Sequence, residues 1–524
     1  MKSKLVLSLV VCTIVWSCTI NDKDFQIKGV QSNPTLVAPL AAGNLAILDV
    51  LSDQDSANIK IKSDGLVYLS YDQQLASQDI RDFVKIDDVN NQGVVVPVPP
   101  ATYPPNPNDQ TSTVITKSVD MGITPEQLTE IAFKSGTMSY SMTLVPANNN
   151  FLYAVNLDIP EFISNTSGQP FSQQVSGTGS VQLSGYTFKS ATANKFTLKL
   201  TLIIKKNSSS VTVLPGTNLN VNFSFKGMDF TYVKGFLGDQ TVSLPAQTID
   251  VQAFGNTLQN GASVSFAQPT IDLTVTNDYG VPLKITFTKI EARKQASGLT
   301  IQTNPTSPIP INAPAALGTS ANTLVSISNV SAVVNFAPTQ FYYQASARIN
   351  GGLTSGNNFM ADTSKLRVKM HVEIPIYGKA SNILTSDTLD VDLGDLDQTK
   401  IDSATLKTSV TNELPLDANL QFILTDSKYK FIDSLLTSSQ SAIVKGSSVD
   451  SNGELSAATV LNQSIKLQSQ KISKIFQAKK IIVRAKFNTS KDASGNYVNV
   501  KFKSQYKVKM QLGLNVKMKL NATF

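Results

Sequence analysis

The sequence predicts an all-β protein with few short helices, built as tandem antiparallel β-sandwich-like domains behind a lipoprotein signal peptide. Three observations carry that reading. Apolar residues alternate with polar ones in Phe196, Leu198, Leu200, Leu202 and Ile204, and again in Leu219, Val221, Phe223 and Phe225, the period of half-buried strands. Helix punctuation is rare. A chain of 524 residues, 41% hydrophobic and 16% charged, is long enough to bury several cores beneath a polar, weakly charged surface.

The elements follow in chain order. Lys2 and Lys4 precede an apolar run from Leu5 to Trp16, which is too short to span a hydrocarbon core of about 30 Å. Val15-Trp16-Ser17-Cys18 then reads as a lipobox, so residues 1–17 are a signal peptide and Cys18 is the lipidated first residue of the mature chain. Cys12 and Cys18 are the only cysteines, which leaves the mature chain without a free thiol or a disulfide, dependent on its cores alone.

Residues 18–40 read as a tether and 41–95 as a small N-terminal β module. The prolines between Val96 and Pro107 suggest a linker or long loop over 96–112. Residues 113–350 and 351–524 are then two β regions, with Gly351-Gly352 marking the break. Thr124-Pro125-Glu126, with Leu128, Ile131 and Ala132 on one face and Gly136 as a stop, predicts a helix, and a second is expected over Ser469 to Ala478.

Two segments look like copies of one unit. Thr248-Ile249-Asp250-Val251 precedes Val275-Thr276-Asn277 and a turn containing Pro282. Thr388-Leu389-Asp390-Val391 precedes Val410-Thr411-Asn412 and a turn containing Pro415. Asparagine suits such a turn because its side chain bonds the local backbone. Two unrelated strand-turn-strand units would give the same pattern.

Charge is uneven. From Lys466 to the end, fourteen lysines and arginines stand against one acid, Asp492, a net of +13 in a chain whose total is +7. In the last strand pattern Phe502, Tyr506, Val508, Met510, Leu512, Leu514, Val516 and Met518 take even positions. Lys501, Lys503, Lys507, Lys509, Lys517 and Lys519 take odd ones, with a bend expected near Gly513. This is a candidate cationic contact face for lipid headgroups or an acidic partner, or else a solvated sheet face whose lysines discourage edge pairing.

No catalytic residue stands out and no cofactor is implied. The single histidine, His371, fits a strand, and without a second histidine or a cysteine the usual zinc sites and nucleophilic triads lack their parts. Asp390, Asp392, Asp395 and Asp397 are the densest acids, a set that could hold Ca²⁺ or form a solvated strand face, and a hydrolase using them is the weakest functional reading. Nothing points to nucleic acid.

Val15 to Cys18, Asn21-Asp22-Lys23-Asp24, Thr411 to Leu416 and Phe487-Asn488-Thr489 together resemble the outer-membrane lipoproteins of Bacteroidota. The resemblance implies lipid anchoring in the outer membrane, with Asp22 and Asp24 as a surface-export signal. It also implies O-glycosylation of Asp-Ser/Thr-apolar triplets, here at Ser56, Thr388, Ser403 and Ser434. The expected role is non-catalytic, a binding or scaffold subunit beside an integral β-barrel or other lipoproteins in assembly, export or uptake. A glycan- or lipid-binding surface protein is the alternative.

Overall fold

The computed structural model describes residues 30–46, 48, 58–78, 84–250, 263–436, 442–492 and 494–522. It is all-β and antiparallel throughout, with helix confined to short segments such as Val330–Phe336 and Ser469–Gln477. No described helix is long and apolar enough to cross a membrane. Two compact units form, one from residues 51–379 and 501–504, the other from 1–50, 380–500 and 505–524.

The larger unit holds a ten-stranded sheet whose longest members, Gln127–Val145 and Asn218–Phe236, pair along most of their length. Its core is aromatic: the Phe162 ring lies 5.0 Å from Phe196 and 5.5 Å from Phe133, with Phe225 5.0 Å from Phe196. The same unit contains a sandwich. One of its sheets orders Ala321–Ile327, Thr270–Asn277, Leu366–Pro375 and Val67–Gln78, and the other orders Gln240–Asp250, Gln340–Ile349 and Leu283–Lys294.

The second unit is a sandwich with the same wiring. Its first sheet orders Thr459–Leu467, Ile401–Asn412, Lys507–Met518 and Thr35–Ala46, and its second orders Ile383–Asp390, Lys480–Thr489 and Leu416–Thr425. Each copy also places a short helix, Val330–Phe336 or Ser469–Gln477, between corresponding strands. The two asparagines singled out in the sequence occupy equivalent corners. Asn277 is fully buried, its Oδ1 accepts from Tyr279 N at 2.9 Å, and its Nδ2 donates to Tyr279 O and Asn312 O. Asn412 is equally buried, accepts from Leu414 N at 2.9 Å and donates to Leu416 O and Lys445 O. One side chain thus closes the turn and ties it to a neighbouring segment, giving partners to three backbone groups at each corner.

Several expectations change. The described strands of 41–95, expected as one module, are divided among different sheets. Thr35–Ala46 joins the C-terminal sandwich, Val67–Gln78 joins the other sandwich, and Val89–Pro97 pairs with Asn218–Phe236. The proline-rich segment is structured rather than a linker: Ala101–Tyr103 pairs with Val211–Val213, and the Tyr103 hydroxyl donates to Pro99 O. Gly351-Gly352 lies inside the larger unit, and the chain leaves that unit near residue 379. The helix expected after Thr124 is instead the strand Gln127–Val145, because Asn194 reaches over to donate to Ile123 O and Glu126 O and to accept from Leu128 N, holding the segment extended. The helix expected at Ser469 is present.

Candidate functional site

The site is built on the outer faces of the C-terminal sandwich. In the strand Lys507–Met518 the even residues Val508, Met510, Leu512, Leu514, Val516 and Met518 are all buried, as the alternation requires, and the odd ones face outward. The strand continues past Gly513, its register against Ile401–Asn412 unbroken there. The irregularity lies in its partner, where the register slips between Pro39 and Ala41 opposite Gly513 and Leu512. At Gly43 on that partner strand a Cβ would run into Leu389 Cδ2, so any larger residue there would have to displace that side chain.

Lys507, Lys509 and Lys517 therefore project from one face, and the neighbouring strands add Lys407 and Lys466, which the sequence reading missed. Along these four strands the only carboxylate is Asp402, the extra residue at the register slip between Ile401 and Ser403. Lys509 pairs with Glu413 from the adjoining turn, and Lys407 Nζ donates to Ser464 Oγ at 2.8 Å. A groove of about 790 Å³ crosses this face, lined by Lys407, Ser409, Asn462, Ser464 and Gln511 and also by Asp390 and Asp392 from beyond the four strands.

The six-lysine face read from the sequence is thus reduced. Lys501 and Lys503 belong to the other unit, because the chain crosses over between residues 500 and 505, and Lys519 lies beyond the end of the strand.

The opposite outer face, on the second sheet, was not foreseen. In Lys480–Thr489 the inward residues Ile481, Val483, Ala485 and Phe487 are buried, which turns Arg484 and Lys486 outward at the middle of the sheet. Cross-strand register places Lys486 between Leu384 and Asn419, with Ile443 beyond Asn419. The next row is Ser386, Arg484 and Gln421. A concavity of about 600 Å³ covers these rows and includes Phe431 and Ser434. Leu384 and Phe431 are 61% and 64% exposed, unusually open for such side chains on a sheet.

The carboxylates proposed for Ca²⁺ do not converge, and among the described residues no group of three or more potential metal ligands occurs. Asp390 pairs with Lys480 at 2.8 Å, Asp392 accepts from Gly394 N, and Asp397 caps a short 3₁₀ turn by accepting from Thr399 N and Oγ1. Their spacing is that of turn residues that satisfy local amides. His371 is a sheet residue whose Nδ1 lies 3.1 Å from Asp72 Oδ1, a carboxylate that also meets Lys369 Nζ at 3.0 Å.

Among the glycosylation triplets Thr388 is exposed on an edge strand, whereas Ser434 donates its hydroxyl to Leu436 O and Gln421 Oε1. Ser403 sits at the register slip. Ser56, Cys18, Asp22 and Asp24 lie outside the described residues.

No protein-family model matches the chain, and no curated protein matches it. Among solved structures it is similar to a protein from Parabacteroides distasonis described as secreted, at 11% identity and a TM-score of 0.30, covering 92% of this chain and 99% of that one.

Proposed function

We propose that the chain is a lipid-anchored, non-catalytic protein of the outer membrane, more on the cell surface than on the periplasmic face. In this reading it acts as a binding or scaffold subunit of a complex concerned with assembly, export or uptake. Cys18 supplies the anchor, Asp22 and Asp24 the export signal, and the lysine face of the C-terminal sandwich the contact with an integral β-barrel or another lipoprotein. The observation that supports the contact is the charge of that face. Five lysines project from four adjacent strands that carry a single carboxylate, and among the described residues Lys509 alone of the five forms an ion pair, while of the two acids that border the groove, Asp390 and Asp392, the first is taken by Lys480. A merely solvated sheet face mixes signs, whereas one sign over a sheet steers a complementary partner.

The test is affinity purification of the full-length lipidated protein from detergent-solubilised outer membranes, followed by mass spectrometry, beside Cys18→Ala and a Lys407→Glu/Lys517→Glu double variant. A stoichiometric barrel or lipoprotein partner that the charge reversal removes is the expected result. A protein that purifies alone sinks the reading.

A further inference from the structure

We propose that the face carrying Arg484 and Lys486 is a binding site for an acidic glycan, a chain of uronate-type sugars. The proposal concerns a different sheet from the lysine face and does not depend on the role proposed above.

The argument begins with the two cations. They are two residues apart on one strand, about 7 Å along it, and both are exposed. Neither forms an ion pair among the described residues, although Lys480 on the same strand is tied to Asp390 and Lys471 to Asp433. Asp417, the nearest outward acid along Leu416–Thr425, is already occupied by Gly446 N at 2.7 Å and by Lys445 and Ser490. Two unspent positive charges therefore stand side by side where their neighbours are neutralised.

What surrounds them selects the partner. Lys486 is flanked by Asn419 and Arg484 by Gln421 and Ser386, so each cation has an amide beside it that can both donate and accept. Paired cation and amide, repeated along a strand, suit a polymer that repeats carboxylate and hydroxyl. Arginine in particular receives carboxylates through two parallel hydrogen bonds. At the margins Leu384, Ile443 and Phe431 are each more than half exposed and offer apolar edges to the C–H faces of sugar rings. The concavity of about 600 Å³ falls within the usual range for a small ligand and is open enough for a chain to continue beyond it. Polar side chains, Ser386, Asn419, Gln421, Arg484 and Lys486, occupy the two central rows between Leu384 on one side and Ile443 on the other, where an acyl chain would need apolar ones.

The test is calorimetric titration of the full chain at low ionic strength, in detergent with trigalacturonate, with hyaluronan hexasaccharide and with neutral galactotriose, and, detergent-free in phosphatidylcholine nanodiscs, with phosphatidylglycerol vesicles. Arg484→Gln, Lys486→Gln and Phe431→Ala are compared with Lys407→Gln on the other sheet. Because Arg484 and Lys486 are exposed, the fold should survive their replacement, and circular dichroism verifies this. Binding of at least one uronate but not galactotriose is expected. Loss of one charge-assisted contact should weaken it about tenfold or more, with Lys407→Gln unchanged. Failure of both uronates to bind, equal binding of the neutral sugar, or wild-type affinity in both glutamine variants would overturn the proposal. Capture of vesicles but not uronates, dependent on Arg484 and Lys486, would overturn it in favour of a lipid surface.

Discussion

Thr408 and Gln463 face each other as partners on adjacent strands of the C-terminal sandwich, and neither Thr408 Oγ1 nor Gln463 Oε1 has a hydrogen-bond partner although both atoms are buried. Thr408 is only 2% exposed. Counting back from the equivalent asparagines, Asn412 and Asn277, Thr408 corresponds to Leu273 of the other sandwich. Gln463, its register partner, corresponds to Val325, the partner of Leu273. The same two positions are thus apolar in one copy and polar without partners in the other.

A buried polar atom left unpaired costs about 1–3 kcal/mol. Thr408→Val keeps the shape and removes the hydroxyl, so it should stabilise the C-terminal sandwich by about 1 kcal/mol. With Gln463→Leu added, the gain should reach about 1–3 kcal/mol, the lower end favoured because Gln463 is only half-buried. For a unit of this size that is about 2–4 °C in melting temperature per kcal/mol. Two units need not melt together, so scanning calorimetry should be joined to hydrogen exchange of amides on Ile401–Asn412. The only tryptophan, Trp16, lies outside the described residues, which makes fluorescence a poor reporter of either sandwich. A loss of 1 kcal/mol or more in Thr408→Val would refute the reasoning, since it would mean that a trapped water satisfies the hydroxyl.

Asn412→Ala removes three hydrogen bonds and leaves a buried amide and two carbonyls to find new partners, so the C-terminal sandwich should lose about 2–4 kcal/mol. Asn277→Ala should do the same to the other unit, and chemical denaturation of each variant checks both. Burial raises the pKa of Glu126 against the opposing pull of its own backbone amide and of Gln240 Nε2, which donates to it at 2.9 Å. Its contribution is fully present below the unfolded carboxylate pKa and is lost as pH rises through the folded one. Glu126→Gln should therefore raise the melting temperature at pH 7 relative to wild type and flatten that slope, as calorimetry across pH 4 to 8 would show; equal slopes in both proteins would contradict it.

Much of the fold was legible because half-buried strands announce themselves. Lys507–Met518 alternates without interruption, and every even position in it is buried. Gln127–Val145 was misread because its period is broken. The register of its partner slips between Lys226 and Asp229 and three more times before Phe236, so Ile131, Ala132 and Phe133 are buried in succession. Leu128, Ile131 and Ala132 then mimic a helical face. The lysine face was partly visible since three of its charges share one strand, while Lys407 and Lys466 join it only through pairing. The Arg484 face could not be seen at all. Leu384, Lys486, Asn419 and Ile443 form one row across four strands, and only their register brings them together.

Comparing the two sandwiches separates what the wiring requires from what it leaves free. Both copies bury an asparagine at the same corner and fill the space between their sheets with apolar side chains, so those features answer to folding. Their outer faces differ. On the sheet that corresponds to the lysine face, the larger unit's sandwich pairs its cations with acids: Lys369 with Asp72 at 3.0 Å, Lys62 with Glu373 at 2.6 Å and Arg367 with Asp278 at 2.7 Å. On the other sheet Leu283 pairs with Ile349 as Leu416 pairs with Thr489, which sets Ser346 where the C-terminal copy has Lys486. The C-terminal copy, beside its own ion pairs, leaves Lys407, Lys466, Lys507 and Lys517 on one face and Arg484 and Lys486 on the other without an ion pair among the described residues. Stability does not ask for that difference, because exposed unpaired lysines contribute little to folding. The C-terminal sandwich is therefore where binding should be sought. Exchanging its outward residues for those of its twin, Lys486→Ser first, should weaken uronate binding about tenfold or more while leaving the melting temperature within about 1 °C, as expected for an exposed surface site. A large fall in stability would show instead that the cations serve the fold.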